Sequence, residues 1–497
     1  MITWGVSAAS HDAAVAVFDD NKLVFASHSE RFSKKKNDGD LHPDLIKYAL
    51  EFGRPGHICY YEKPLVKATR QLYAGQQAFP LLNVKDYIQY YCPIDISETR
   101  ITNSGHHRSH AAAGYFTSGF DNAVVIVLDA IGEWDTGTIW EGNGTTLKKR
   151  WNMRYPHSVG LWYSAMTQRC GFKPNEEEYI MMGMAASGDP RKYYDLIREE
   201  LFDWRIEESG PVIKCAVNMH RGIKWWREDI KDVKNLAAAA QKIYEDLLTD
   251  IVYWTYTKLK SKNLILMGGC ALNCVANGVI ANKGLYDKIW IMPNPGDAGS
   301  SVGAVLSVWN KHIEYPGAFL GYNIKGEYPV QAALKELLKG NVVAVANGPA
   351  EFGPRALGNR SLLIDPRLRD SKERMNKFKK REPFRPFAPA ILVEHVNSYF
   401  EMPYVTSPYM QYTAQCKTPD YVPGAVHIDG SSRVQTVTTQ DNPGFRALLE
   451  AWYSATGCPI LLNTSMNIKG QPLVNDEFDA AAFSKKHKIA VLTKEEK

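Results

Sequence analysis

The sequence predicts an α/β fold in two domains, and three observations carry that prediction. First, the segments ITWGVSA, AAVAVFDD and KLVFASHSE at the start of the chain read as three strands joined by tight turns. Second, NLILMGGCALNC and DKIWIMPNPGDAGSSVGAVLSVW each run from an apolar strand through a Gly- or Asp-bearing turn into a helix start. Third, composition shifts over Tyr315 to Tyr328, YPGAFLGYNIKGEY, where Gly, Pro and aromatics crowd without periodicity. Strands that open into helices through such turns place ligands at the carboxyl ends of a sheet.

Between these landmarks, DNAVVIVLDAIGEWDTGTIW reads as a buried strand, a turn and a second strand, with Asp129 at the carboxyl end of the first. The shift near Tyr315 separates a domain over 1–320 from one over 325–497. Beyond it, VQAALKELLKG reads as a helix ended by Gly340, and NVVAVANG as a strand, so the second domain is also α/β. No internal repeat or low-complexity segment is visible, and the tail LTKEEK reads as frayed. Hydrophobic residues make up 45% and charged residues 23%, as in an ordinary globular protein. The net charge of +5 admits a phosphate-bearing ligand or nucleic acid without requiring either. The eight cysteines form no regular framework, no signal peptide is expected from MITWGVSAAS, and no apolar run approaches the ~20 residues of a spanning helix. The expected setting is reduced and cytoplasmic, away from a membrane.

The stretch GHHRSHAAAGY sets three histidines at the mouth of a helix, with Ser104 as its expected cap. His106 and His110 are four positions apart and share one face; His107 points elsewhere. Two imidazoles one turn apart are half of a metal site, and equally a polar helix start in water. Asp129 and Asp297, both in strand-end positions, supply the missing ligands, although either alone serves as well for a helix cap. Two His with one or two carboxylates suit Fe, Mn or Zn and leave coordination positions for substrate. Gly268 and Gly269 let backbone approach a ligand, and helix-start N–H groups there suit phosphate. Cys270 and Cys274 read as core or turn residues.

The second domain gathers Arg355 and Arg360 in EFGPRALGNRS, Lys379, Lys380, Arg381 and Arg385 in KKREPFRPFAP, Arg433 in HIDGSSRVQ, and Asn463 and Ser465 in LLNTSMN. The prolines and aromatics around Arg385 hold its guanidinium rigidly. Convergent arginines with Asn and Ser donors suit a small phosphate or carboxylate.

These motifs, together with SHDAAVAV, SERFSKKKND and LDAIGEWDT, run in order through nearly the whole chain and resemble the O-carbamoyltransferases of the nodulation-protein NodU and antibiotic-tailoring type. The resemblance implies an actin/Hsp70-like (Kae1-like) ATPase domain that holds ATP and a divalent metal, often iron (Fe(II)), with Mn, Mg or Zn as alternatives. It implies a YrdC-like α/β domain that binds carbamoyl phosphate. Carbamoyl phosphate and ATP then give carbamoyl-adenylate, and the carbamoyl group passes to an acceptor hydroxyl. Carried over residue by residue, His106, His110, Asp129 and Asp297 match the metal positions. Lys36 matches a phosphate-contacting lysine, and Gly268, Gly269 and Asn273 the nucleotide turn, with Asp297 beside it. Arg355, Lys379, Arg385, Arg433, Asn463 and Ser465 match the carbamoyl phosphate pocket, with Arg355 also at the chemistry. His11 matches the histidine expected to deprotonate the acceptor; a phosphate contact is its other reading.

In EEYIMMGMAASG the chain departs from the family. Ile180 stands at the place of a usual lysine, and Ala186-Ser187 replaces Pro-Tyr, in a region that bears on the acceptor. The acceptor is left as a sugar, a natural product or a hydroxymethylated nucleotide or DNA base, and oligomerisation is left open. Two other functions fit parts of the pattern: threonylcarbamoyl transfer to tRNA, and a non-catalytic ATP-binding module.

Overall fold

In the computed structural model, which describes residues 1–76 and 81–495, the chain divides into two compact units. The first takes Met1–Ser29 and Asn37–Tyr315, the second Glu30–Lys36 and Pro316–Lys497. Contiguous domains over 1–320 and 325–497 lack the excursion at Glu30–Lys36. Its cause is long-range: the buried Arg31 donates from Nη2 to the Gly353 carbonyl at 2.8 Å, and Lys34 pairs with Asp479. Contacts so far apart in sequence leave no local periodicity to read.

In the first unit, β1 (Ile2–Ser7), β2 (Ala14–Asp19), β3 (Lys22–His28), β4 (His57–Tyr60) and β5 (Arg100–Asn103) form a sheet in the order β3-β2-β1-β4-β5. A second sheet has β6 (Asn122–Gly132), β7 (Asp135–Asn143) and β8 (Thr146–Arg154). A separate hairpin, β9 (Phe202–Glu207) and β10 (Gly210–Cys215), follows. Then β11 (Asn263–Met267) and β12 (Lys288–Trp290) complete the order β12-β11-β6-β7-β8. In both sheets the first three strands are antiparallel, and the last two run parallel to the first. One topology therefore occurs twice, in keeping with the actin/Hsp70-like plan that the sequence resemblance implies. No repeat is visible in the sequence, because backbone pairing and apolar faces keep a topology that many sequences satisfy. β8 was not foreseen; it is a largely exposed edge strand with weak apolar alternation.

Two helices, His106–Thr117 and Ser300–Trp309, form the layers between these sheets. Their approach is at backbone contact. A Cβ on Gly5 of β1 would lie 1.8 Å from the Ser301 carbonyl oxygen, and one on Gly303 would lie 1.8 Å from that of Ser109. Only glycine fits either position.

The second unit contains β13 (Phe319–Ile324), β14 (Val343–Ala346), β15 (Gly348–Glu351), β16 (Arg360–Ile364), β17 (Ala388–Leu392), β18 (Phe400–Glu401), β19 (Thr413–Cys416), β20 (Ser431–Arg433), β21 (Gln435–Val437), β22 (Ile460–Ser465) and β23 (Val491–Leu492). Its main sheet is mixed, in the order β21-β17-β22-β16-β14-β23. Strand alternation divides its core in two. Leu362, Ile391 and Ile460 pack with Met375 and Phe483 on one face, and Val345, Leu363 and Leu461 with Leu449 and Trp452 on the other. The tail is docked. β23 pairs with β14, and the Glu495 carboxylate accepts from the Gln331 and Ala332 N–H groups at 2.9 and 3.3 Å, capping a helix that Pro329 leaves without a side-chain cap. Glu496 and Lys497, the end of the stretch read as frayed, lie outside the described residues. Among the described residues no helix is long and apolar enough to cross a membrane.

The Gly303 contact makes a direct prediction. Gly303→Ala forces two helices apart and should destabilise the first unit by about 2–3 kcal/mol. Denaturant unfolding against wild type measures it; an unchanged midpoint would contradict the packing described.

Candidate metal centre and anion pocket

His106 and His110 lie in the first turns of the helix His106–Thr117. Asp129 lies near the end of β6, where its register with β7 breaks, and Asp297 lies in the turn between β12 and the helix Ser300–Trp309. One donor atom from each residue meets the others within 4.8 Å. His106 Nε2 is 3.3 Å from Asp129 Oδ2 and 3.4 Å from Asp297 Oδ1. His110 Nε2 is 3.5 Å from Asp129 Oδ2, 3.2 Å from Asp297 Oδ1 and 3.2 Å from His106 Nε2. Four tetrahedral donors about 2.0–2.1 Å from one ion stand about 3.3–3.4 Å from each other. The donor set thus fits a single divalent cation. The imidazoles are buried, not solvated at a helix start.

A second layer aims these groups. His110 Nδ1 donates to the Pro295 carbonyl at 3.1 Å, which in the neutral ring leaves Nε2 as the lone-pair nitrogen facing the cluster. His106 Nδ1 faces Glu62 Oε2 at 3.4 Å, and Lys67 holds the other Glu62 oxygen at 2.6 Å. Burial disfavours every charge here, yet the carboxylates hold both imidazoles above their ordinary value, and the imidazoles hold Asp129 and Asp297 below theirs. His107 stands apart: Nδ1 meets Thr138 Oγ1 at 3.0 Å, and burial pushes the ring down to about 3.

The helix start differs from expectation. Gly105 is the cap residue, and Ser104 Oγ is 2.6 Å from Ser307 Oγ instead. The Glu133 carboxylate does the capping from the β6–β7 turn. It accepts from the N–H of His106 at 3.2 Å and of Lys63, at the next helix, at 2.7 Å. Neither Glu62 nor Glu133 has a spacing that marks it in the sequence.

The glycine turn also has a local reason. Gly268 has φ +85° and passes so close to β6 that a Cβ would lie 2.2 Å from the Leu128 carbonyl oxygen. Gly269 N–H donates to Asp129 Oδ1 at 3.2 Å, so this turn holds a carboxylate of the cluster. Asn273 caps the helix Cys274–Asn282 and joins Gln241 at 2.9 Å. All eight cysteines are unpaired, Cys274 in the core and Cys270 half-buried. Ile180, at the family's usual lysine position, is fully buried.

His11 lies in the loop between β1 and β2. Nε2 donates to the Asn175 carbonyl at 3.0 Å, and Asp12 Oδ2 is 3.1 Å from Nδ1. Burial disfavours the charged ring, but Asp12 outweighs it and raises His11 to about 10. The ring is an imidazolium at neutral pH, whereas the ordinary His value near 6.5 had suited a base. Lys36 is half-buried in the segment that belongs to the second unit.

In the second unit, Lys379 and Ser465 meet. The buried Lys379 Nζ donates to the Ser465 carbonyl, to Ser465 Oγ at 3.1 Å and to Asn467 Oδ1 at 2.9 Å. Burial, with Arg381 and Arg385 nearby, holds its ammonium well below the ordinary lysine value. Asn463 lies two residues before Ser465 on β22 and donates to the Ala356 carbonyl at 3.0 Å, next to Arg355. Arg385 just precedes β17, 3.5 Å from Glu382. Arg433 ends β20, its buried Nε without a partner among the described residues. Arg360 does not belong to this group. It is fully buried, and its guanidinium donates to the carbonyls of Tyr322, Asn347, Gly348, Asn359 and Asn475 at 2.9–3.1 Å. Glu351 holds the Arg355 turn, accepting at Oε1 from the N–H groups of Leu357, Asn359 and Arg360 at 2.7–3.2 Å. Glu351 and Gln435 were not singled out from the sequence; an acid beside a phenylalanine and an amide within a strand carry no spacing signal.

Two predictions follow from this geometry. His110→Ala should lose bound metal while keeping its far-ultraviolet circular dichroism, and metal analysis equal to wild type would remove the assignment. For His11, the raised ring value makes the pairing with Asp12 stabilising in full below 6.5 and lost as pH rises toward 10; Asp12, held below 3.8, keeps it on the acid side. The stability difference between wild type and His11→Asn should therefore be largest near pH 5–6 and close by pH 10. A difference that grows with pH would contradict the pairing.

Residues 3–58 and 61–306 match the family described as carbamoyltransferase N-terminus, and residues 334–496 the one described as carbamoyltransferase C-terminus. An uncharacterized protein of Synechocystis sp. is 34% identical over 96% of this chain and 93% of its own length. The nodulation protein NolNO of Sinorhizobium fredii is 30% identical over 95% of this chain and 76% of its own. The 3'-hydroxymethylcephem-O-carbamoyltransferase of Amycolatopsis lactamdurans is 26% identical over 97% and 96%. With both family segments matched in order around the two sites described, the chain belongs to the carbamoyltransferase family and is a transferase.

Proposed function

We propose that this transferase is an ATP- and metal-dependent O-carbamoyltransferase that works through carbamoyl-adenylate. Carbamoyl phosphate and water give carbamate and phosphate. Carbamate and ATP give carbamoyl-adenylate and pyrophosphate. An acceptor hydroxyl attacks the carbamoyl carbon, the bond to AMP breaks, and the hydroxyl proton leaves to a base. The observation that carries this reading is the four-donor cluster of His106, His110, Asp129 and Asp297 at the strand ends of an actin-like plan. A divalent metal held there, such as iron, offsets the repulsion between anionic reactants.

The other roles fall to the chain's own groups. Gly268, Gly269 and Asn273 form the turn against which ATP is held, and Lys36 serves as a phosphate-contacting lysine. His11, charged by Asp12, suits a phosphate contact better than a general base. Lys379, Arg385, Arg433, Arg355, Asn463 and Ser465 bind carbamoyl phosphate. A dianion there restores the Lys379 charge that burial disfavours. The name of the cephem relative carries a hydroxymethyl group, which supports a primary hydroxyl of a small molecule as acceptor. Hydroxymethylated nucleotides share that group and belong in the same panel. Membership in a transferase family supersedes the binding-module reading.

Incubation with carbamoyl phosphate, ATP and a panel of hydroxylated acceptors should yield a product heavier by one carbamoyl group, with pyrophosphate released. Turnover that required threonine and bicarbonate would instead establish threonylcarbamoyl chemistry. Arg385→Ala should lower carbamoyl phosphate turnover by about 30- to 1000-fold, the loss of a charge-assisted phosphate contact worth ~2–4 kcal/mol, and should still bind ATP. Unchanged turnover in that variant would take Arg385 out of the pocket.

A further inference from the structure

In the second unit, a relay of side-chain amides is oriented from one end to the other. Gln435 Nε2 donates to the Leu357 carbonyl at 3.0 Å. A carbonyl only accepts, so the Gln435 amino group must lie at that end and its Oε1 at the other. Oε1 accepts from Asn463 Nδ2 at 2.7 Å, and the same Nδ2 donates to the Ala356 carbonyl at 3.0 Å. Both Asn463 amide hydrogens are thereby committed, and Oδ1 is the atom left over. That oxygen is buried and has no partner among the described residues, on a side chain only 1% exposed. Interior acceptors are nearly always satisfied, and one left open calls for a ligand donor.

Strand register explains how the relay spans the sheet. Asn463 pairs with Ala388 and Gln435 with Ala390, so both flank β17 where its side chains on that face are methyl groups. The open oxygen stands two residues from Ser465, where Lys379 docks, and the Ala356 carbonyl that fixes it follows Arg355.

We infer that Asn463 Oδ1 reads the amino group of carbamoyl phosphate and that Gln435 is the positioning residue that aims it, so the pocket selects carbamoyl phosphate over acetyl phosphate. The inference rests on the carbamoyl phosphate reading above. Acetyl phosphate carries the same phosphate and carbonyl, with a methyl group in place of –NH2. A site built to receive a donor rejects an isostere without one much more strongly than an apolar pocket rejects a change in size.

The test is carbamoyl phosphate-dependent ATP–pyrophosphate exchange by the full-length protein, with acetyl phosphate and inorganic phosphate as competitors. In wild type, acetyl phosphate should compete only at about 100-fold or more above the KM for carbamoyl phosphate. In Gln435→Leu that KM should rise about tenfold, while inhibition by acetyl phosphate and by inorganic phosphate stays within about twofold. Gln435→Met, close in volume, should behave alike and guards against a folding defect. Acetyl phosphate competing within about threefold of KM in wild type overturns the inference whatever the variants do. Equal weakening of all three ligands in a folded variant overturns the positioning role. Absence of exchange in wild type overturns the functional reading, and this inference with it.

Discussion

The helix Ser300–Trp309 touches backbone on both sides, against β1 through Gly5 and against the helix His106–Thr117 through Gly303. Those two contacts leave no slack between the layers. Asp297 stands just before one of these helices, and His106 and His110 in the first turns of the other. Sheet and helix therefore arrive at a fixed separation, and four donors from three separate segments come together, each imidazole 3.2–3.5 Å from both carboxylates and 3.2 Å from the other imidazole. Bulkier residues at the helix crossing would spread the cluster before they touched it.

Holding two carboxylates and two imidazoles in the interior is expensive unless each group has a partner. The first unit provides partners one shell out. Pro295 fixes the His110 tautomer, Glu62 faces His106, and Gly269 N–H steadies Asp129. Glu133 replaces the side-chain cap that Gly105 lacks. Most of these outer groups are backbone atoms or acids outside the quoted histidine motif.

The second unit, for which we propose carbamoyl phosphate binding, gathers its cations differently. Its two arginines in EFGPRALGNRS have opposite fates. Arg360 is spent on five carbonyls and knits strands together, while the turn it helps hold carries Arg355. Arg31, from the excursion near the N-terminus, braces Gly353 in the same turn. Backbone carbonyls thus set which way Arg360, Arg31, Gln435 and Asn463 point.

The sequence by itself determined the α/β class, the strand-to-helix turns and the four donors that the structure brings together as a candidate metal centre. Those features have local signatures: an apolar run ending in Asp129, the four-residue spacing of His106 and His110, and the Asp297 turn before a helix. The tertiary structure alone decided the rest. The duplicated sheet order is invisible because strand pairing constrains backbone and polarity, not residue identity. The third strand of the second meander escaped because an edge strand needs only one apolar side. Arg355 and Arg360 look alike in sequence, and that five backbone carbonyls converge on Arg360 is set by the fold alone. The state of His11 depends on Asp12 lying 3.1 Å away in a folded loop, a charge interaction that periodicity does not encode. Docking of the tail through Glu495 and the Leu357–Gln435–Asn463 relay depend on partners 28 to 164 residues apart, which only the closed fold brings into hydrogen-bonding distance.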